Sequence, residues 1–214
     1  MVQIVLAIWT DNPQEAVDLV LAAEGKIDRI QVDIGDGQFA DYKTVGPEVF
    51  EDLNLKSKRD FHLMVKEPVN WVEKCARAGA DRIIGQIEMM TSQPEFVKKV
   101  QKVGCQVGLA IDIETPIGQI DNSIFFDLDA ILVMNYSAGV RGETFDDRAL
   151  VKINKLKRLR KKDETPFKII SDGGVNKDNI KNLTSAGADE VVAGRSLHEG
   201  NINENINVLL EKAQ

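Results

Sequence analysis

Cysteine is almost missing from this chain: Cys75 and Cys105 are the two thiols in 214 residues, and they lack the C-x-x-C spacing of a redox or zinc motif. A disulfide framework and a thiolate metal site are therefore excluded, and both residues are expected as buried small hydrophobes. Basic charge is also in deficit, with 27 Lys+Arg against 34 Asp+Glu and a net charge of −7. No local run supplies the basic stripe that nucleic acid or an anionic membrane surface requires, so neither partner is expected. Long apolar runs are missing too: no stretch approaches the ~18 residues of a membrane span. The opening residues Met1 to Trp9 lack the basic region and small-residue cleavage site of a secretory signal. These absences predict a soluble, cytoplasmic chain, and its length suits one domain spanning 1–214.

What is present is an alternation, repeated along the whole chain, of short β-rich apolar runs and helical segments closed by glycine or a polar turn. Strand-like runs fall at Ile4 to Ile8, Arg29 to Ile34, Phe61 to Val65, Arg82 to Ile87, Val107 to Ile111, Ala130 to Met134, Lys168 to Ser171 and Glu190 to Ala193. The first helix is announced by Asn12-Pro13 as N-cap and first-turn residue and is stopped by Gly25. Further helices are predicted at Pro47 to Leu53, Pro68 to Ala78, Pro94 to Val103, Pro116 to Asn122, Arg148 to Arg160, Lys177 to Ala186 and Asn203 to Lys212. The phrase Ala-Gly-Ala-Asp occurs at Ala78 to Asp81 and again at Ala186 to Asp189, with glycine as the C-cap before the next strand. Eight such units of roughly 27 residues consume the length, and right-handed crossovers around a sheet without edges make an α/β fold, the (β/α)8 TIM barrel, the economical architecture. A doubly wound open sheet would satisfy the same periodicity. The charged run Lys155 to Glu164 is expected as a solvated helix end.

In such a barrel the reactive groups project from the carboxyl ends of the strands. Three strands carry polar residues among apolar ones there: Gln31 and Asp33 on the second, His62 on the third and Asp172 on the seventh. Alternation puts Gln31 and Asp33 on one face, and an inward carboxylate needs a compensating partner. Strands two and seven lie on different sides of the mouth, so Asp33 and Asp172 would meet a ligand from two faces. That arrangement suits removal of a proton from one side of a carbon and its return on the other. His62 offers a ring nitrogen to a divalent metal or a carbonyl oxygen, although a lone strand histidine also serves as an ordinary hydrogen-bonded core residue. Asp36-Gly37 and Asp172-Gly173-Gly174 are equally compatible with plain turns. Gly173-Gly174 and Gly194-Arg195-Ser196, ending consecutive strands, offer backbone N–H groups to a phosphate. The loop Ser137 to Glu143, with Gly139, Gly142 and Arg141, is placed to close over such a ligand. His198 is expected to face solvent.

These segments resemble, in collinear order over nearly the whole chain, the ribulose-phosphate 3-epimerase family of ribulose-phosphate-binding barrels. The likeness is carried by Val32 to Phe39, Gly46-Pro47, Phe61 to Val65 with Pro68, Ala78 to Asp81, and Gly108 to Ile111 with Thr115-Pro116. Beyond these it continues through Ile131 to Met134, Phe145 and Ser171 to Asn176. The resemblance implies a metal-dependent barrel, an isomerase of carbohydrate metabolism, that inverts carbon 3 of a pentulose 5-phosphate and so interconverts D-ribulose 5-phosphate and D-xylulose 5-phosphate. It implies Asp33 and Asp172 as the acid/base pair, and Asp33, His62 and Asp172 as ligands of one divalent ion, zinc in most members. It also implies a small-molecule sugar phosphate as partner and a possible homo-oligomer.

The departures from the family pattern are as specific as the matches. The remaining histidine ligand is replaced by Gln31, a weaker zinc ligand through its carbonyl oxygen, which shifts the expectation toward Mn²⁺ or Mg²⁺. Ala7, Gly35 and Gln86 stand where the family carries serine, methionine and histidine, and with Met64 and Met134 they complete the predicted pocket. Gly35 and Gln86 alter that pocket's volume, which admits a second substrate, a hexulose 6-phosphate such as allulose 6-phosphate. A third reading is a metal-free barrel that binds a sugar phosphate without epimerising it.

Overall fold

The computed structural model describes residues 2–140 and 142–214. Eight parallel strands close on themselves in chain order: β1 (Gln3–Ile8), β2 (Arg29–Gly35), β3 (Lys58–Met64), β4 (Arg82–Gln86), β5 (Gln106–Ile111), β6 (Ala130–Met134), β7 (Lys168–Asp172) and β8 (Glu190–Ala193). The barrel is sealed where β1 pairs with β8, from Gln3 opposite Glu190 to Leu6 opposite Ala193. Closure rules out the open doubly wound sheet.

Around the strands run α1 (Pro13–Ala23), α2 (Val72–Arg77), α3 (Gln93–Lys102), α4 (Arg148–Asp163), α5 (Ile180–Ala186), the single turn α6 (Arg195–His198) and α7 (Ile202–Lys212). The Asn12 side chain accepts from the N–H groups of Gln14 and Glu15 at 3.0 and 3.2 Å, so the predicted cap starts α1. Two predicted helices are shorter and tighter than expected. Pro47–Phe50 is a single 3-10 turn, and Ile117–Gln119 with Asn122–Asp127 forms two more. Neither stretch offers a long enough apolar face for packing to repay an α-helical nucleus.

Period-two alternation sorts the strand residues into two layers. Ile4, Leu6 and Ile8 join Ile30, Val32 and Ile34 in the core between sheet and helices, while Val5, Ile84, Ala110, Leu132, Ile170 and Val192 form a separate cluster within the barrel. That inner cluster lies between two polar layers. At the amino ends of the strands, Arg82 donates to Asp60 and Glu190, each at 2.5 Å, and Arg29 pairs with Asp60. At the carboxyl ends lie Gln31, Asp33, His62 and Asp172.

The Ala-Gly-Ala-Asp phrase has a structural function. Asp81 accepts the N–H of Arg59 at 2.8 Å, and Asp189 accepts that of Ile169 at 2.8 Å. Asp129 makes the equivalent bond to Val107 at 2.7 Å. In each case the aspartate just before one strand satisfies the first amides of its neighbour, which sets the start of the ladder. Of the two thiols, Cys75 is buried as expected, whereas Cys105 is half-buried with its Sγ 3.2 Å from the Ala80 carbonyl.

Candidate active site

Gln31, Asp33, His62 and Asp172 converge. β2 and β3 pair with Asp33 opposite His62, and the closed sheet carries β7 round to the same mouth. The Gln31 amide nitrogen donates to Asp33 Oδ1 at 2.8 Å and to Asp172 Oδ2 at 2.6 Å. His62 Nδ1 lies 3.2 Å from Asp33 Oδ1 and 3.5 Å from Asp172 Oδ2. Ligand atoms of Asp33, His62 and Asp172 all fall within 4.8 Å of one another.

Burial and charge perturb these groups together. Burial, reinforced by the charge of Asp172, pushes the Asp33 carboxyl up to about 6 against the opposing pull of His62. Burial alone would lower the His62 pKa, but hydrogen bonds to Asp172 and Asp33 outweigh it and raise the imidazole to about 9.

The donor set fits a divalent cation. Two carboxylates and an imidazole are a common ligand combination, and two buried polar atoms of this cluster, His62 Nε2 and Gln31 Oε1, have no hydrogen-bond partner among the described residues. Gln31 presents its amide nitrogen to the carboxylates, so its oxygen would reach a shared ion only after the amide turned over.

A cavity of about 600 Å³ opens above the cluster, lined by Asp33, His62 and Asp172 together with Ala7, Met64, Met134, Gly142, Gly173, Gly174, Gly194, Arg195 and Ser196. Most of the residues expected to bind the substrate therefore share one space. Gln31 lies directly beneath it, fully buried.

Three expected residues are elsewhere. Gly35 does not open the pocket: a Cβ there would come within 2.7 Å of the Tyr42 carbonyl oxygen, and its N–H is taken by Thr44 Oγ1 at 2.9 Å. Gln86 is buried, and its amide nitrogen, in the orientation that satisfies its neighbours, donates to Glu88 and to the Ala110 carbonyl, both at 2.9 Å. Gly139 packs against Ala40, bringing the β6 loop onto the β2 loop. The extra room for a longer sugar chain anticipated at Gly35 and Gln86 is therefore not found there. Arg141 lies outside the described residues.

Asp36 takes the turn reading. Its side chain accepts from Gln38 and Phe39 at 2.8 and 3.0 Å and reaches the N–H of Lys66 at 2.9 Å, fastening the β2 loop to the end of β3.

The sequence concealed three contributors. The Tyr136 ring packs on Gly173, where a Cβ would meet it at 2.7 Å, and burial with the nearby charges of Asp172 and Asp33 pushes its hydroxyl pKa upward. Asn135 is fully buried and spends its side chain on the Gly173 carbonyl and the Ser171 hydroxyl, at 2.7 and 2.8 Å. His198 is half-buried at the cavity wall rather than facing solvent, and its Nε2 meets the Ala7 carbonyl at 2.8 Å, just beyond the last β1–β8 pair. Ser196 donates to the Val175 carbonyl at 2.8 Å, so the segment after β8 is fastened on both sides.

A closed parallel barrel with an Asp-His-Asp cluster and glycine loops at one cavity defines the class: a (β/α)8 protein with a candidate divalent-metal site at the carboxyl ends of its strands. The family model described as the Ribulose-phosphate 3 epimerase family matches residues 3–198, and the chain belongs to that family. Ribulose-phosphate 3-epimerase of Bacillus subtilis is 32% identical over 182 residues, covering 82% of each chain. That of Escherichia coli K12 is 29% identical over 185 residues, covering 85% of this chain and 82% of the relative. Among solved structures, a 3-keto-L-gulonate-6-phosphate decarboxylase from Vibrio cholerae superposes with a TM-score of 0.72 at 13% identity, covering 99% of this chain and 97% of that one. A 3-hexulose-6-phosphate synthase gives 0.71 at 14% identity, covering 99% and 100%. These two likenesses establish the shared barrel and nothing further. Among the described residues no helix is long and apolar enough to cross a membrane.

Proposed function

We propose that this chain epimerises a ketopentose 5-phosphate at carbon 3, interconverting D-ribulose 5-phosphate and D-xylulose 5-phosphate. The observation that carries the reading is the convergence of Asp33 and Asp172, from strands on different sides of the mouth, on one buried donor pair in a cavity that also holds the glycine loops. One carboxylate removes the proton from carbon 3 on one face of the sugar, and the other returns a proton on the opposite face. Burial lifts Asp33 toward about 6 in the ion-free site, and a bound cation would draw it back down, which leaves an ionised carboxylate able to accept a proton. A divalent ion held by Asp33, His62 and Asp172 would supply electrostatic stabilisation of the negative charge that develops on the substrate oxygens. Zinc is the family expectation, and the Gln31 substitution favours manganese or magnesium as alternatives.

The phosphate end is assigned to the backbone N–H groups of Gly173, Gly174 and the Gly194–Ser196 segment, with Arg195 adding positive charge. Gly142 contributes from the β6 loop, and Ala7, Met64 and Met134 supply apolar wall against the carbon chain. The Ser196 hydroxyl proton is committed to Val175, so that residue would serve through its main chain.

Incubation with ribulose 5-phosphate in deuterium oxide, with zinc, manganese or magnesium supplied separately, tests the reading. Deuterium is expected at carbon 3, and Asp172→Asn should reduce the exchange by roughly 10²- to 10⁴-fold while sugar-phosphate binding persists. No incorporation with any of the ions would reject this substrate assignment.

A further inference from the structure

We infer that Asn135, Asn176 and Asn179 are positioning residues that build a preformed anion nest from three consecutive peptide units, holding the phosphate loop in its binding shape before any ligand arrives. The inference rests on the functional reading above and identifies what in this chain makes the β7 loop able to serve it.

Three successive carbonyls at the end of β7 are each gripped by an asparagine. The Asp172 carbonyl accepts the Asn135 main-chain N–H at 2.7 Å, and the Gly173 carbonyl accepts Asn135 Nδ2 at 2.7 Å. The Gly174 carbonyl accepts Asn176 Nδ2 at 3.1 Å and Asn179 Nδ2 at 2.9 Å. In a trans peptide the N–H points opposite the carbonyl of the same unit. Fixing the carbonyls of residues 172, 173 and 174 therefore turns the N–H groups of Gly173, Gly174 and Val175 the other way.

All three of those residues line the cavity, and none of their N–H groups meets a protein acceptor among the described residues. The required backbone is left-handed, with φ of +107° at Gly173 and +63° at Gly174, which explains two adjacent glycines. Convergent peptide N–H groups of this kind recognise a compact, multiply charged oxyanion, of which a phosphate monoester is the biological example.

The asparagines are themselves held. Asn135 Oδ1 accepts the Ser171 hydroxyl at 2.8 Å, and its carbonyl accepts the Asp146 N–H at 2.9 Å. Asn179 Oδ1 accepts the Asn176 N–H at 2.9 Å, and Asn176 Oδ1 accepts that of Asp178 at 2.8 Å. Amide orientation is therefore fixed by the opposite end of each side chain, so the nitrogens face the loop carbonyls. Asn135 alone grips both carbonyls that flank Gly173, so one side chain and its own N–H join the carboxylate-bearing residue Asp172 to the anion loop.

The test uses the full chain labelled with nitrogen-15 and follows the amide signals of Gly173, Gly174 and Val175 during titration with inorganic phosphate and with ribulose 5-phosphate. Wild type should show large shifts confined to these amides and those of the 194–196 segment. Asn135→Leu keeps volume and charge and the main-chain bond to the Asp172 carbonyl while deleting the side-chain grip on the Gly173 carbonyl, and should weaken phosphate binding roughly tenfold and scatter the three signals. Asn179→Leu, at the solvent side of the loop, should weaken it roughly threefold because Asn176 still holds the same carbonyl. If Asn135→Leu fails to fold, the Asn179→Leu result decides. Unchanged phosphate affinity in the folded variants would overturn the inference while leaving the functional reading in place. Phosphate binding that depends on the asparagines, without deuterium exchange on ribulose 5-phosphate, would support the nest and sink the epimerase reading. No response of wild type to either ligand would sink both.

Discussion

Gln31 occupies the space between Asp33 and Asp172 with an amide nitrogen, a donor that neutralises neither carboxylate but satisfies one oxygen of each. Removing it leaves two buried acceptors short of a partner, a loss of about 1–3 kcal/mol. Gln31→Leu is accordingly expected to lower the thermal midpoint in the presence of a chelator. Excess manganese should then raise that midpoint more in the variant than in wild type, because an ion can replace the missing hydrogen bonds. Equal responses in thermal unfolding would show that the amide does not hold the carboxylates together. At the same scale, Asp33, His62 and Asp172 were legible in the sequence because polar residues in otherwise apolar strands are conspicuous. Asn135 and Tyr136 were not, because their roles arise only from the β6–β7 register that sets Met134 opposite Asp172 and carries the next residues to the glycine loop.

Elements were legible in proportion to the length of their apolar pattern. All eight strand-like runs became strands, and the Asn12-Pro13 start of α1 is where the sequence put it. Pro47 to Leu53 and Pro116 to Asn122 carry helix-start residues but too little apolar surface behind them, and they close as 3-10 turns. One inter-element tie gives a pH-dependent prediction. Glu24, at the end of α1, accepts from the Lys56 and Ser57 N–H groups at 2.8 and 3.3 Å just ahead of β3. The Lys56 N–H, with further bonds from Ser57, lowers its pKa below 4.5. The contribution of a lowered carboxyl is present above the unfolded value and is lost as pH falls through the folded one. Glu24→Gln should therefore cost on the order of 1 kcal/mol at pH 7, allowing for solvent screening. That deficit should shrink as the pH of a urea titration is taken below 4.5. A deficit independent of pH would assign the loss to packing.

On the scale of the whole molecule, the barrel is polar at both ends and apolar through its middle. The end opposite the cavity is closed by Arg29, Asp60, Arg82 and Glu190, which come from β2, β3, β4 and β8 and so tie distant strands across the interior. Arg82 bridges the two acids, and it is 2% exposed, so removing it leaves Glu190 without its cation in a dry interior and Asp60 with Arg29 alone. Arg82→Leu is expected to cost about 3–5 kcal/mol, measured by chemical denaturation. Replacing all four residues with apolar ones of matched volume should cost far less, because nothing is then left charged and unpaired. Fold class was legible at this scale because eight repeats of one βα grammar fill the length. The far-end charge cluster was not, since its members are spread through the chain and meet only once the sheet has closed.

The seam between the first and last strands has a consequence for how ligand and fold protect each other. Above Leu6 and Ala193 the ladder stops, and the His198 imidazole on the Ala7 carbonyl stands in for the next rung. An anion seated on residues 194–196 would pin α6, and with it the clasp that keeps the first and last strands from fraying apart. Occupancy of the mouth should thus slow hydrogen exchange along β1 and β8 well below the cavity floor, so that substrate acts as a fastener for the cylinder that binds it.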